Sequence, residues 1–278
     1  MQFSQICKAI KEVKIQGSGA VAKAGVKALL LRHDKKAIRK LISLRPTEPC
    51  LRNAIHYALM FSPIDGGVKQ VFSYFDSVGE KIREIGSKRI HDGMTIFTHC
   101  HSTSVISILK EAKKQGKRFT VYNTETRPLY QGRITAKELS KAGIKVIHII
   151  DSAARLALKK ADLFLFGADA ITADGNIINK IGTGLYAEMA DKLDVPCYSC
   201  TVAWKFDPLT LWGEEEEIEQ RPAREVWPRK PKGVRILNPA FAVVRENQVD
   251  GIISELGILT VSDFIQQTRR TYPFMFEK

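Results

Sequence analysis

The chain has 278 residues, 44% hydrophobic and 26% charged, with 19 Gly and 11 Pro. That composition predicts a folded protein of about two domains and excludes collagen-like, coiled-coil-rod and disordered classes. The 43 Lys+Arg against 30 Asp+Glu give a net charge of +13, and the excess is local: residues 1–90 carry 17 basic and seven acidic side chains, the remainder 26 and 23. A positive field attracts anions without choosing among phosphorylated metabolites, nucleic acid and acidic proteins. A solvated lysine-rich surface is the plain alternative.

No run of about 18 apolar residues exists, and the opening segment, charged and amphipathic, is not the apolar stretch of a signal peptide. These features predict a cytoplasmic protein with no membrane partner. The five cysteines, Cys7, Cys50, Cys100, Cys197 and Cys200, form no regular framework, which suits a reducing compartment. Cys197 and Cys200 have metal or redox spacing, but a structural zinc needs four ligands and no second such pair is present. Both are expected on a buried strand after Pro196, and no metal site is expected.

From Phe3 to about Arg89 the pattern is helical, with Val21, Val26, Leu29, Ile38, Leu41 and Ile42 three and four apart. Gln16-Gly17-Ser18-Gly19 separates two helices, Arg45-Pro46 ends the second, and Ser62 to Gly67 forms a loop before a helix running through Val71 to Ile90. After His91-Asp92-Gly93 short β-rich runs alternate with helical ones. Met94–Thr98, Arg118–Tyr122, Lys145–Ile150, Leu163–Gly167 and Pro196–Thr201 are strands, with helices at Val105–Lys114, Thr135–Ala142, Ala153–Lys160 and near Gly184–Leu193. The expectation is an α/β protein: a basic helical domain over residues 1–90 and a Rossmann-like, doubly wound parallel sheet over 91–278 that carries the pocket. The acidic run Glu214–Glu217 lies in a long polar stretch with four prolines and is expected as a solvated or partner-contacting loop.

Ligands of doubly wound sheets bind beyond the carboxyl ends of the strands, and there the polar residues concentrate. The first strand runs into Thr98-His99-Cys100-His101-Ser102-Thr103-Ser104. At a strand-to-helix turn, helix amides and imidazolium charge are expected to lower the Cys100 pKa toward a thiolate, and the same amides with Ser102 and Ser104 can cradle a phosphate. A small residue packed in a tight turn is the bland alternative. The fourth strand ends in Gly167-Ala168-Asp169, followed by the turn Asp174-Gly175-Asn176 and then Asn179-Lys180-Ile181-Gly182-Thr183. Asp169 follows four apolar residues, so desolvation is expected to raise its pKa and suit it to acid/base work; a helix N-cap or a loop carboxylate is the alternative.

Asn123-Thr124-Glu125-Thr126-Arg127-Pro128, the Gly167–Ile171 and Asn179–Thr183 blocks, and Thr98–Ser102 together resemble one family. It is the family of the alpha, beta and delta subunits of translation initiation factor 2B, which also holds methylthioribose-1-phosphate and ribose-1,5-bisphosphate isomerases. Gln16–Gly19 resembles its Arg-Gly-Ala-Gly turn, Arg45-Pro46-Thr47 its Arg-Pro-Thr, and Asn238–Phe241 with Ser254–Ile258 its C-terminal signature. The resemblance spans nearly the whole chain, is of archaeal type, and implies Cys100 and Asp169 as the catalytic pair of the isomerase branch, with no cofactor. It implies a substrate or phosphate site from Gln16, Gly17, Ser18, Gly19, Arg45, Ser102, Thr103, Ser104, Asn179, Lys180 and Lys205. Two cations are missing relative to the bisphosphate enzyme, at Gln16 and Thr103. It further implies a homodimer formed mainly through the C-terminal domain, or a higher oligomer.

Two functions follow. One is a regulatory factor-2B-like protein with a retained sugar-phosphate or nucleotide pocket and an initiation factor 2 subunit as candidate partner, contacted through basic residues such as Lys35, Lys36 and Lys40. The other is an aldose–ketose isomerase of a phosphorylated ribose using Cys100 and Asp169. The weakened phosphate clamp and basic N-terminal region favour the regulatory protein, and that is the expectation from sequence. A nucleic-acid binder has only the charge behind it.

Overall fold

The computed structural model describes residues 2–15, 17–216 and 218–277. Five helices come first: α1 (Phe3–Lys11), α2 (Ser18–Leu29), α3 (Lys35–Ile42), α4 (Pro49–Leu59) and α5 (Ile64–Ser87). Their apolar faces bury Val21, Val26, Leu29, Leu41, Leu51 and Ile55 in one core, which Trp204 and Met275 join from far along the chain. The sequence pattern expects two helices before Pro46, but there are three. Asp34 starts the third by accepting hydrogen bonds from the amides of Lys36 and Ala37, both at 3.0 Å, a side-chain cap that satisfies orphan helix donors. The expected loop at Ser62–Gly67 is also shorter, because α5 begins at Ile64. Its early Gly67 is needed where α5 crosses α4, since a Cβ there would lie 2.1 Å from the Ala58 carbonyl oxygen.

The alternating half follows as β1 (Thr95–Thr98), α6 (Thr103–Lys114), β2 (Thr120–Thr124), α7 (Gln131–Lys141), β3 (Lys145–Ile149), α8 (Ala154–Leu158) and β4 (Leu163–Phe166). Then come β5 (Ala170–Ile171), β6 (Ile177–Lys180), α9 (Thr183–Asp191), β7 (Cys197–Cys200), β8 (Phe241–Val244), β9 (Gly251–Ser254), β10 (Gly257–Leu259) and α10 (Val261–Thr271). Seven strands form one sheet in the order β10-β9-β7-β4-β1-β2-β3, parallel except at the β10 edge. The chain winds one way from β1 to β3 and the other way from β4 to β9, so the switch point lies between β1 and β4. This is the doubly wound α/β fold expected from the βαβ alternation.

All four residues of β4 and of β7 are buried, as strands covered on both faces must be. Cys197 packs into the core on one face and Cys200 into that on the other, so the two thiols cannot share a metal or a disulfide. A second, three-stranded antiparallel sheet, β5-β6-β8, was not foreseen; the Asp174-Gly175-Asn176 turn joins its first two strands. In the acidic run Glu214 and Glu215 are exposed as expected, but Glu216 turns inward. Burial and a hydrogen bond shared with Asp207 push its carboxyl up to about 8; Glu217 lies outside the described residues. No helix among the described residues is long and apolar enough to cross a membrane.

Candidate active site

Cys100 leaves the end of β1 and Asp169 the end of β4, the two neighbouring strands at the switch point, and both line one cavity. Cys100 has φ +65°, a left-handed conformation rare for a residue with a Cβ. Two threonines hold it there: its amide donates to Thr126 Oγ1 at 3.0 Å, and Thr135 Oγ1 donates to its carbonyl at 2.7 Å. Thr126 also has a left-handed backbone, fixed by its amide donating to Asp151 Oδ1 at 2.9 Å. Such a conformation costs of order 1–3 kcal/mol and persists only where the surroundings over-determine it, so the sulfur is aimed.

The thiolate expected from the sequence is not what this turn produces. Burial pushes the Cys100 thiol up to about 11, offset only in part by the Lys180 ammonium and the His101 amide. The flanking histidines supply no imidazolium. His99 is buried, with Nε2 2.9 Å from the Ile181 carbonyl and Nδ1 2.5 Å from Thr124 Oγ1. A carbonyl only accepts, so Nε2 carries a hydrogen, and in the neutral ring that burial favours Nδ1 accepts from the threonine hydroxyl. Burial pushes its pKa down to about 4, and that of half-buried His101 is lowered by the same cause. Cys100 therefore enters any reaction as a protonated thiol.

Asp169 is half-buried, its amide donating to the Ile178 carbonyl of β6 at 2.7 Å, so the small sheet fixes its backbone. Asn179 and Lys180 come from the same strand. Asn179 Nδ2 donates to Thr183 Oγ1 at 3.0 Å, and the Lys180 ammonium sits 5.0 Å over the Phe241 ring of β8. Lys205 donates to the Ala168 carbonyl, next to Asp169. Ser102 caps α6, and Thr103 is that helix's first residue. Gly17, with φ +86°, precedes Ser18, the first residue of α2. Gly17, Ser18, Arg45, Ser102, Thr103, Asn179, Lys180 and Lys205 thus all line the cavity with the candidate pair.

Gly19 and Ser104 lie in an adjoining cleft that shares Ser18, Thr103 and Lys205 with the cavity and adds Lys23 and Arg83. Gln16 lies outside the described residues. Among the described residues, four buried polar atoms of cavity-lining side chains, Ser18 Oγ, Arg45 Nε, Glu48 Oε2 and Gln131 Oε1, find no hydrogen-bond partner. Buried polar groups are nearly always satisfied, so their convergence marks a place for a polar ligand.

Sequence reasoning missed Glu48 and Gln131. Glu48 follows the Arg-Pro-Thr block directly, yet no rule places an acid inside a site read as anion-binding. Its Oε1 lies 2.6 Å from Arg45, and burial pushes its carboxyl up to about 7 despite that cation. Gln131 stands beside Gly132, whose hydrogen faces Thr124 so closely that a Cβ would sit 1.7 Å from the carbonyl oxygen. That tight crossing of α7 over β2 brings the Gln131 side chain into the cavity wall.

A doubly wound sheet thus carries a polar crevice at its switch point, where such folds bind ligands, lined by three cations, a thiol and carboxyls. The chain belongs to the Initiation factor 2 subunit family, whose sequence profile matches residues 21–261. It is 38% identical to the ribose 1,5-bisphosphate isomerase of Pyrococcus furiosus, over 92% of this chain and 89% of that one. It is 39% identical to the enzyme of the same name from Methanocaldococcus jannaschii, over 90% and 89%. Among solved structures, the translation initiation factor eIF-2B of Pyrococcus horikoshii OT3 matches with a TM-score of 0.84 and 29% identity, over 93% of this chain and 96% of that one.

These findings overturn the regulatory function expected from the sequence. Several archaeal relatives at 37–39% identity carry the isomerase name, whereas the solved structure named as an initiation factor is more distant at 29%. The expectation gave weight to two absent cations; it could not see that the remaining residues still close around one cavity.

Proposed function

We propose that this chain is an aldose–ketose isomerase acting on a phosphorylated ribose. The observation that carries this reading is the convergence of Cys100 and Asp169, from adjacent strands at the switch point, on a cavity that also holds Arg45, Lys180 and Lys205. The isomerase names of the relatives support it.

Converting a ribose 1-phosphate unit to its ketose adds protons to the ring oxygen and C1 and removes them from C2 and the C2 hydroxyl. No atom is gained or lost, and the reaction needs positioned acid and base groups and no redox partner. Cys100, protonated at neutral pH, starts as the donor, and Asp169 is the acceptor. This reverses the thiolate role expected from the sequence. Phosphate is held by Lys205 and by the amides at the start of α2 and α6, whose N-terminal ends favour anions.

Incubation with ribose 1,5-bisphosphate should yield the ribulose isomer. Cys100→Ser and Asp169→Asn should each lower turnover by about 10²–10⁴-fold while the fold is kept. Wild-type turnover in both variants would end the reading. Leu156 on α8 and Leu185 on α9 are 67% and 61% exposed, an apolar surface suited to a dimer through the C-terminal part of the chain. Light scattering should return twice the 31.2 kDa chain mass or a multiple of that dimer. The five thiols, all free, suit a cytoplasmic setting.

A further inference from the structure

Glu48 sits at the cap position of α4, yet its side chain does not cap the helix. Instead it enters the cavity wall, 4% exposed, with Oε1 on Arg45 and Oε2 without a hydrogen-bond partner among the described residues. Arg45 is 10% exposed, and Glu219 approaches its Nε to 3.8 Å from another side. The arginine thus already faces two carboxylates before any anion arrives. Across the cavity lining, Arg45, Lys180 and Lys205 face Glu48 and Asp169, which leaves little net positive charge. In the adjoining cleft Lys23 is paired with Asp76 at 2.7 Å and Arg83 with Glu80 at 3.6 Å. A sugar monophosphate brings up to two negative charges, a bisphosphate up to four. A free carboxylate oxygen accepts hydrogen bonds, which a hydroxyl can donate and a phosphate dianion cannot.

We propose that Glu48 is a specificity-determining residue: seated on Arg45, it selects sugar monophosphates whose other end carries a hydroxyl and disfavours those with a second phosphate. The proposal rests on the isomerase reading and narrows its substrate class. The carboxyl faces Arg45 on its own segment, Asp169 beyond β4, Lys205 beyond β7, and Glu219 on the long loop before β8. Protonation of Glu48 frees Arg45 and turns the acid into a donor, so the discrimination weakens as pH falls below about 7.

The test compares ribose 1-phosphate with ribose 1,5-bisphosphate in the wild type, Glu48→Gln and Glu48→Ala, at pH 8 and pH 6, with affinities also measured by isothermal titration. The wild type at pH 8 should favour the monophosphate. Both variants should move the kcat/KM ratio and the affinity ratio toward the bisphosphate by about tenfold or more, since like-charge repulsion is removed. Lowering the pH should move the ratio the same way in the wild type and much less in Glu48→Gln. A wild type that prefers the bisphosphate, with a ratio both variants leave unchanged, overturns the proposal. Failure of the wild type to isomerise either sugar overturns the isomerase function instead, and the affinity ratio still decides the role of Glu48.

Discussion

At Cys100 the side chain's chemistry is set by its surroundings more than by its neighbours in sequence. Two adjacent histidines suggest positive charge, yet burial keeps His99 neutral and the thiol protonated. Glu48 shows the same effect in the same direction. Its folded pKa, about 7, lies above the ordinary 4.5, so the folded state holds the proton more tightly. Its contribution to stability is full below pH 4.5 and lost as pH rises through 7. For His99, lowered from 6.5 to about 4, stability is lost as pH falls through that window. Urea unfolding from pH 4 to 8 should therefore show Glu48→Gln gaining on the wild type as pH rises from 5 to 8. A constant difference across that range would mean that Glu48 does not titrate as its burial demands.

At the scale of elements, the site is a set of strand and helix ends brought to one crevice. β1 and β4 deliver Cys100 and Asp169; α2 and α6 deliver their N-terminal amides; β6 delivers Asn179 and Lys180. The spacing is set by close approaches. Between β4 and the start of α6, Gly167 faces Ser102, where an added Cβ would lie 2.8 Å from Oγ and 2.9 Å from the serine Cβ. Gly167→Ala should force Ser102 off its cap and cost about 1–3 kcal/mol, read as a lower Tm, with a loss of turnover larger than the fall in stability explains. An unchanged Tm would show that α6 can shift freely. Five of the six parallel strands were legible because each is a short β-rich run between helical periods; the sixth, β9, was not read from the sequence. Neither was the β5-β6-β8 sheet, because no helix separates β4, β5 and β6 to mark them off, and β8 pairs with β6 from more than 60 residues further along.

Over the whole molecule, the helical core and the sheet are tied by one segment. Trp204, buried among α4 and α5, stacks on Tyr74 at 3.7 Å and 11°, and Asn53 donates to its carbonyl at 2.9 Å. The next residue, Lys205, reaches the Ala168 carbonyl beside Asp169. Trp204→Ala should cost about 3–5 kcal/mol and release Lys205, so that the Tm drops and KM for a sugar phosphate rises. Loss of stability with unchanged KM would separate the anchor from the site.

The sequence by itself determined the doubly wound order of elements and the identity of the candidate pair, since periodicity and strand-end residues are local signals that survive without coordinates. It also put forward Arg45, Lys180 and Lys205 as expected phosphate contacts, through the resemblance of their blocks, and all three line the cavity. Only the tertiary structure decided the charge state of Cys100, the burial of Glu48, and the gathering of four residues with unsatisfied polar atoms around one cavity. The physical reason is that burial and pairing depend on chain segments more than 100 residues apart, as between Glu48 and Glu219. A pKa or a net cavity charge is a sum over those neighbours, and no local run of residues contains it.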